Sequence, residues 1–90
     1  MWRTALVTTA SAANARLILA HHDLARLFDT IVTGDDVRRH KPDPEAYLLA
    51  AARLDLRPED CVILEDSAIG VAAGLAFGGA VLRLIPPAAG

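Results

Sequence analysis

The 90-residue sequence contains a single cysteine, no long apolar run and almost no net charge. Because Cys61 is alone, the chain cannot form an intrachain disulfide. Its apolar surroundings predict a small buried side chain rather than a reactive thiol. No apolar run approaches the roughly 18 residues of a membrane-spanning helix. The short apolar stretch near Met1 has neither the length nor the cleavage site of a signal peptide, so we expect a cytoplasmic protein with no membrane partner.

The formal net charge is −2 at pH 7, and 53% of the residues are of hydrophobic type. This composition predicts one globular domain rather than a disordered chain. Because positive and negative charges nearly balance, the chain has no electrostatic attraction toward nucleic acid, and we expect no such partner. Lysine is scarce as well, since eight of the nine basic residues are arginine and Lys41 is the only lysine.

Strand-like and helix-like patterns alternate along the chain. We predict strands at residues 4–8, 30–33, 61–64 and 80–85, and helices at residues 12–20, 44–54 and 68–77. The continuous apolar run at residues 61–64 indicates a strand that is buried on both faces. This alternation predicts an α/β fold, in which a parallel sheet carries helices on both faces.

Local signals mark the ends and the buried face of the helices. The predicted N-caps are Ser11, Asp43 and Ser67, and Gly78 with Gly79 is predicted to end the last helix. The apolar face predicted for the second helix carries Tyr47, Leu48, Ala51 and Leu54.

Open parallel sheets bind their ligands at the carboxyl ends of the strands. Glu65 and Asp66 follow a predicted strand directly, and two carboxylates there suit Mg²⁺, which takes one or two carboxylates plus waters and phosphate oxygens. The alternative is a helix N-terminus, where acidic residues are favourable without any metal. For Asp35 and Asp36 we favour a turn with a helix-capping acid over a metal site.

Lys41 and Thr8 are candidate phosphate-binding residues at the same edge. A loop lysine can act as a point charge on a phosphate or on its attacking nucleophile, although a solvated surface lysine is the alternative. Thr8 and Thr9 end the first strand, where a hydroxyl and backbone N–H groups can hold phosphate oxygens. Threonine at this place can also be no more than a good strand former.

Three stretches, in order, resemble the sequence motifs of haloacid dehalogenase-type hydrolases. Residues 5–11 (Ala-Leu-Val-Thr-Thr-Ala-Ser) resemble motif II, and residues 41–47 (Lys-Pro-Asp-Pro-Glu-Ala-Tyr) resemble motif III. Residues 63–67 (Ile-Leu-Glu-Asp-Ser), with Gly70, resemble motif IV. The pattern is most similar to the phosphatase and β-phosphoglucomutase-like subfamily with helical caps, and it extends over about residues 4–84.

The resemblance implies a three-layer, Rossmann-like parallel sheet, of which residues 1–90 would form a partial core domain. It implies a Mg²⁺-dependent phosphohydrolase that acts on a small phosphate monoester, such as a sugar phosphate, through an aspartyl-phosphate. Thr8 would hydrogen-bond the phosphate, Thr9 would contribute its backbone N–H, and Lys41 would neutralise charge between phosphate and nucleophile. Asp66 would bind Mg²⁺, with Glu65 as a further ligand or beside it.

One motif of the family has no counterpart in the sequence. Motif I contains Asp-x-Asp, whose first aspartate is the nucleophile, and no Asp-x-Asp occurs in the 90 residues. The helical cap, which sets the substrate, has no counterpart either. In the family the motif I strand lies between the strands that match residues 4–8 and 61–64. We therefore expect an incomplete sheet with open edges that favour self-association, in a fragment that is inactive by itself.

Two alternatives to the phosphatase stay open. One is a phosphomutase of the β-phosphoglucomutase type, because motifs II to IV hardly separate the two activities. The other is a non-catalytic remnant that binds phosphate or Mg²⁺, or pairs with another chain through its open edges.

Overall fold

The computed structural model describes residues 2–85, in which strands and helices alternate. The strands are β1 (Ala5–Val7), β2 (Thr30–Val32), β3 (Val62–Glu65) and β4 (Ala80–Arg83). The helices are α1 (Ala12–His21), α2 (Glu45–Leu54) and α3 (Ala68–Phe77). Each predicted strand and helix is present, with ends that differ from the prediction by at most two residues. None of the described helices has the length and apolarity needed to cross a membrane.

The strands of the described region form two separate parallel pairs instead of one continuous sheet. β1 pairs with β2, with Leu6 opposite Ile31. β3 pairs with β4, with Ile63 opposite Val81. The predicted α/β class with parallel strands is confirmed, and the strands at residues 5–7 and 62–65 do not pair with each other.

Helices α2 and α3 pack on each other and form a layer that holds the two strand pairs together. One cluster of buried residues joins α2, α3 and β3: Tyr47, Ala51, Ile63, Ala73 and Phe77. A second cluster joins α2 to β2: Val32, Ala46 and Ala50. Val7 of β1 packs against both clusters. The chain crosses from β1 to β2 in the direction opposite to its crossing from β2 to β3. From the right-handed crossover rule we therefore expect α1 on the face opposite to that of α2.

A cleft of about 810 Å³, which we call the strand cleft, separates the two pairs. Residues 2–7, with β1, form one wall and residues 60–65, with β3, form the other. Its floor consists of side chains from α2 and of Phe77 from α3. Among the described strands, β2 and β4 contribute no lining residue. The order across the molecule is therefore β2, β1, strand cleft, β3, β4.

The backbones of both cleft walls are open toward the cleft. The Thr8 N–H donates to the Val32 carbonyl (2.9 Å) and the Leu84 N–H donates to the Glu65 carbonyl (2.7 Å), which fixes the groups that face β2 and β4. Successive residues of a strand direct their backbone groups to opposite sides. The residues whose N–H and C=O face the strand cleft are therefore Ala5, Val7, Val62 and Leu64.

The prediction that the strand at residues 61–64 is buried on both faces is wrong. Ile63 is 8% exposed, whereas Val62 and Leu64 are 55% and 61% exposed. Helices α2 and α3 cover the face of β3 that carries Ile63, and the opposite face has no comparable cover among the described elements. A continuous apolar run thus predicts a strand that can be buried on both faces. It does not show that another element packs on each face.

Two predictions about α2 are also wrong. Asp43 is not its N-cap: Pro44 takes that place, and Asp43 Oδ1 instead accepts the Glu45 N–H at 2.9 Å. Leu48 is 47% exposed because α2 packs through its alanines, Ala46 and Ala50 on one side and Ala51 on the other.

The other end signals are confirmed. Ser11 caps α1 by accepting the Asn14 N–H, and Ser67 caps α3 by accepting the Gly70 N–H. Gly78 ends α3 at φ 96°, a left-handed conformation that favours glycine. Cys61 is partly buried against the first cluster, and burial, with help from Asp60 and Glu59, raises the pKa of its thiol. That shift agrees with the prediction of an unreactive side chain.

Candidate active site

Lys41 joins the carboxyl ends of β1 and β3. It lies in the loop before α2, and its Nζ donates to the Val7 carbonyl at 3.3 Å and to Glu65 Oε2 at 2.7 Å. Its side chain is 11% exposed and that of Glu65 is 12% exposed. The alternative of a solvated surface lysine is therefore wrong. The ammonium group lies at the carboxyl-end mouth of the strand cleft, at the edge where parallel sheets bind ligands.

Tyr47 completes this cluster from the floor of the cleft. Its hydroxyl donates to the same Glu65 Oε2, and Lys41 Nζ lies 4.8 Å from the centre of its ring. The sequence pattern assigned Tyr47 to the core, and it is indeed 6% exposed, but its polar contact was missed. A signal was available, because a buried tyrosine hydroxyl needs a hydrogen-bond partner. The partner itself, 18 residues further along the chain, is set by tertiary structure.

The cluster keeps Glu65 ionised and Tyr47 protonated. Burial by itself raises the pKa of Glu65, but hydrogen bonds from Lys41 and Tyr47 and the charge of Lys41 outweigh it. The pKa of Glu65 therefore lies below its usual value. For Tyr47, burial and the hydrogen bond to Glu65 both raise the pKa of the phenol well above its usual value. The cluster thus consists of the Lys41 ammonium group, the Glu65 carboxylate and the neutral Tyr47 phenol.

Glu65 and Asp66 have different surroundings although they are neighbours in sequence. The Glu65 carboxyl group lies against Gly70, where a Cβ atom would overlap it. Asp66 is exposed and lines a small cavity with Arg83, Leu84 and Ile85. Within residues 2–85, no three His, Cys, Asp or Glu side chains converge as a complete metal site. Asp66 still suits Mg²⁺, which is commonly held by one or two carboxylates and completed by waters and phosphate.

Thr8 and Thr9 form the turn between β1 and α1. Thr8 Oγ1 accepts the Ala10 N–H at 3.1 Å, and Thr9 is exposed. Gly34 packs against the Thr9 carbonyl, and its N–H donates to the Ala10 carbonyl at 2.7 Å. The turn directly follows Val7, whose carbonyl binds Lys41. Thr8, Thr9, Lys41, Glu65 and Asp66 thus all belong to one edge, although Thr8 has no hydrogen bond to Lys41 in the described contacts.

Asp35 and Asp36 act as capping groups, as predicted. Asp35 Oδ2 accepts the N–H of Ala12 at the start of α1, at 2.8 Å. Asp36 accepts the backbone N–H of Thr33 at 2.8 Å and its hydroxyl at 3.1 Å. Both carboxylates therefore stabilise the local backbone beside the candidate site.

Comparison with known proteins gives consistent matches. The family model of haloacid dehalogenase-like hydrolases matches residues 1–78. Hexitol phosphatase A of Escherichia coli is 44% identical over 86 residues, which cover 93% of this chain and 38% of that protein. The fructose-1-phosphate phosphatase YqaB of Escherichia coli is 40% identical over 74 residues, which cover 82% of this chain and 39% of that protein.

A solved structure matches nearly the whole chain. It is a crystal structure from Thermotoga maritima, assigned as a β-phosphoglucomutase, with a TM-score of 0.92 and 37% sequence identity. The match covers 98% of this chain and 41% of that protein. The chain thus spans about two fifths of the length of the proteins that it matches.

Proposed function

Because the chain belongs to the family of haloacid dehalogenase-like hydrolases, we propose that it forms the phosphate-holding part of a Mg²⁺-dependent phosphatase. The proposed substrate class is a small phosphate monoester, and sugar phosphates are favoured by the names of the two Escherichia coli relatives. One observation carries the proposal: the ammonium group of Lys41 is fixed between the carboxyl ends of β1 and β3. A lysine held at this edge can act as a point charge on an anionic ligand.

Each proposed site residue has one task. Lys41 offsets negative charge on the phosphate, and two of its three ammonium donors already bind Val7 and Glu65, which leaves one for a ligand. Thr8 and Thr9 contribute hydroxyl and backbone donors beside the N-terminus of α1. Asp66 supplies the exposed carboxylate for Mg²⁺. When bound, Mg²⁺ would offset further charge on the transferring phosphoryl group.

The nucleophilic aspartate would come from a segment outside the 90 residues, because they contain no Asp-x-Asp. The strand cleft supports this proposal by its place, because β1 and β3 form its two walls and backbone N–H and C=O groups of both strands face it. A parallel strand there would end beside Lys41, so an aspartate at its carboxyl end would meet the bound phosphate.

The test is phosphate release from fructose 1-phosphate in the presence of Mg²⁺. We expect no turnover by the 90-residue chain alone. We expect turnover when a synthetic strand of five valine and isoleucine residues ending in Asp-Val-Asp is added, and its loss when the first Asp of that strand becomes Asn. Turnover by the chain alone that disappears in Asp66→Ala would contradict the proposed external nucleophile. Absence of turnover with the strand, together with absence of phosphate binding, would contradict the phosphatase.

A phosphomutase is the second candidate, and the match to the Thermotoga maritima structure favours it. The same assay separates the two, because a mutase converts a sugar phosphate into its isomer without net phosphate release. We also propose a cytoplasmic location, a small phosphorylated substrate as the only ligand partner, and self-association through the open strand edges when no strand fills the cleft.

A further inference from the structure

We propose that Glu65 and Tyr47 are positioning residues: Glu65 is the fixed counter-ion that holds Lys41 at the mouth of the strand cleft, and it is not a metal ligand. Asp66 is then the carboxylate of this chain that remains for Mg²⁺. The inference rests on the proposed function for the roles of Lys41 and Asp66. It goes beyond that function by separating two neighbouring acids that the sequence presents as one pair.

The first argument is that one oxygen of the Glu65 carboxylate, Oε2, is already engaged by two donors. Oε2 accepts from both Lys41 Nζ and the Tyr47 hydroxyl. Charge-assisted hydrogen bonds of this kind are about twice as strong as neutral ones. If Glu65 turned toward a metal, Lys41 would lose its buried counter-ion. The cost of that loss opposes coordination by Glu65.

The second argument is the rigidity of the supporting residue. Tyr47 lies in the first core cluster, with its ring 6.0 Å from that of Phe77. From this fixed place its hydroxyl contacts Glu65 and its ring face lies 4.8 Å from Lys41 Nζ. The packing of α2 thereby fixes both members of the ion pair. A phenylalanine would fill the same space but would leave Glu65 without one donor.

The third argument is the room made for the carboxylate by Gly70. A Cβ at Gly70 would overlap the Glu65 carboxyl carbon and both oxygens, so the start of α3 accommodates Glu65 in this orientation. Asp66, in contrast, has an exposed side chain. The local fold therefore directs Glu65 inward to Lys41 and leaves Asp66 accessible to an ion.

The sequence makes the test unambiguous, since Lys41 is the only lysine and Tyr47 the only tyrosine. The first measurement is the ammonium resonance of Lys41 by ¹H–¹⁵N NMR on the 90-residue chain, without metal or phosphate. We expect a resolved, slowly exchanging signal in the wild type, partial broadening in Tyr47→Phe and complete loss in Glu65→Gln. Glu59→Gln is the matched control, because that acid forms an exposed ion pair elsewhere. An unchanged signal in both Glu65→Gln and Tyr47→Phe would overturn the proposal.

The second measurement is Mg²⁺ affinity by titration calorimetry on the same proteins. We expect Asp66→Asn to weaken binding by about tenfold or more, as removal of a ligand does. We expect Glu65→Gln and Tyr47→Phe to change it by less than about threefold, since the first alters only a nearby charge and the second removes only a neutral hydroxyl. A loss in Glu65→Gln equal to that in Asp66→Asn would overturn the proposal. If the wild type binds no Mg²⁺, the proposed function fails, and the ammonium signal alone decides on Glu65 and Tyr47. Should Glu65→Gln not fold, Tyr47→Phe, which preserves the packing volume, carries both measurements.

Discussion

The two strand pairs are joined by side chains at one end and by an apolar floor below, but not along their backbones. At the carboxyl end, Lys41 and Glu65 connect β1 to β3 through an ion pair that is nearly buried. Along the strands, β1 and β3 face each other across the strand cleft with open backbone edges. The charged cluster is thus present although no backbone ladder joins the two pairs in the described region. A loop and a helix are sufficient to hold these side chains together at the strand ends.

The floor of the cleft should contribute most to stability, because it alone packs against both pairs. Phe77 is 6% exposed within the first core cluster. We expect Phe77→Ala to lower the free energy of unfolding by about 3 kcal/mol or more, measured by urea denaturation. Leu75→Ala on the same helix is the control: Leu75 is 63% exposed, and the expected change is below about 0.5 kcal/mol. Equal effects of the two changes would show that the floor does not hold the pairs together.

The ion pair should contribute next. Lys41→Met keeps much of the side-chain volume but leaves the Glu65 carboxylate without its cation, at an expected cost of about 2 kcal/mol in unfolding free energy. Arg57→Met is the comparison, because Arg57 pairs with Glu59 and Asp60 while its side chain is 74% exposed. For that variant we expect a clearly smaller loss, because water and salt screen an exposed ion pair. If Lys41→Met lowers the unfolding free energy no more than Arg57→Met does, the buried ion pair contributes no more to stability than the exposed one.

Acid should weaken the cluster through Glu65. The pKa of Glu65 is lowered in the folded chain, so its contribution is fully present above the unfolded value of about 4.5 and is lost as the pH falls through the lower folded value. We expect the unfolding free energy of the wild type to fall more steeply below about pH 4.5 than that of Glu65→Gln. Parallel pH profiles for the two proteins would contradict a lowered pKa of Glu65 in the folded chain.

At alkaline pH the sign is reversed for Tyr47. Its pKa is raised above the usual 10, so its contribution is present below pH 10 and is lost as the pH rises through the folded value. Absorbance of the tyrosinate reports on this residue alone, because the chain has one tyrosine. We expect ionisation above pH 10 in the folded chain and a return to the ordinary value in urea.

The smallest effect on stability is expected at the exposed apolar residues of β3 beside the strand cleft. Leu64 is 61% exposed on β3, so Leu64→Thr should change the unfolding free energy by less than about 0.5 kcal/mol. The same change should reduce self-association in sedimentation velocity, because it removes apolar surface beside an open strand edge. Association that is unaffected by Leu64→Thr would place the contact between copies away from the strand cleft.

Local patterns were sufficient to predict the strands, the helices and two of the three helix caps. Ser11 and Ser67 act as predicted because an N-cap depends on the next few residues alone. The prediction for Asp43 was wrong, because Pro44 takes the N-cap place one residue further along. Leu48 and Val62 are exposed because burial depends on which neighbours cover an apolar side chain, and that is a property of the tertiary structure.

The candidate site was predictable in position but not in its contacts. The rule that ligands bind at the carboxyl ends of parallel strands directed attention to Thr8, Thr9, residues 34–41, Glu65 and Asp66. Lys41 and Glu65 do meet at that edge, and the roles of these residues toward phosphate and Mg²⁺ stay predictions. The separation of Glu65 from Asp66 could not be predicted, because it depends on Tyr47 and Gly70, which come from two different helices. A spacing pattern identifies residues that share an edge, but not which of two adjacent carboxylates forms the ion pair.

The account depends above all on Lys41 as the cation that receives phosphate. The most direct test is titration of the 90-residue chain with inorganic phosphate at saturating Mg²⁺, followed by calorimetry and compared with the Lys41→Met variant. We predict binding by the wild type and an affinity at least about tenfold lower in Lys41→Met, equivalent to about 1.4 kcal/mol. Equal phosphate affinities in two folded proteins would contradict the account.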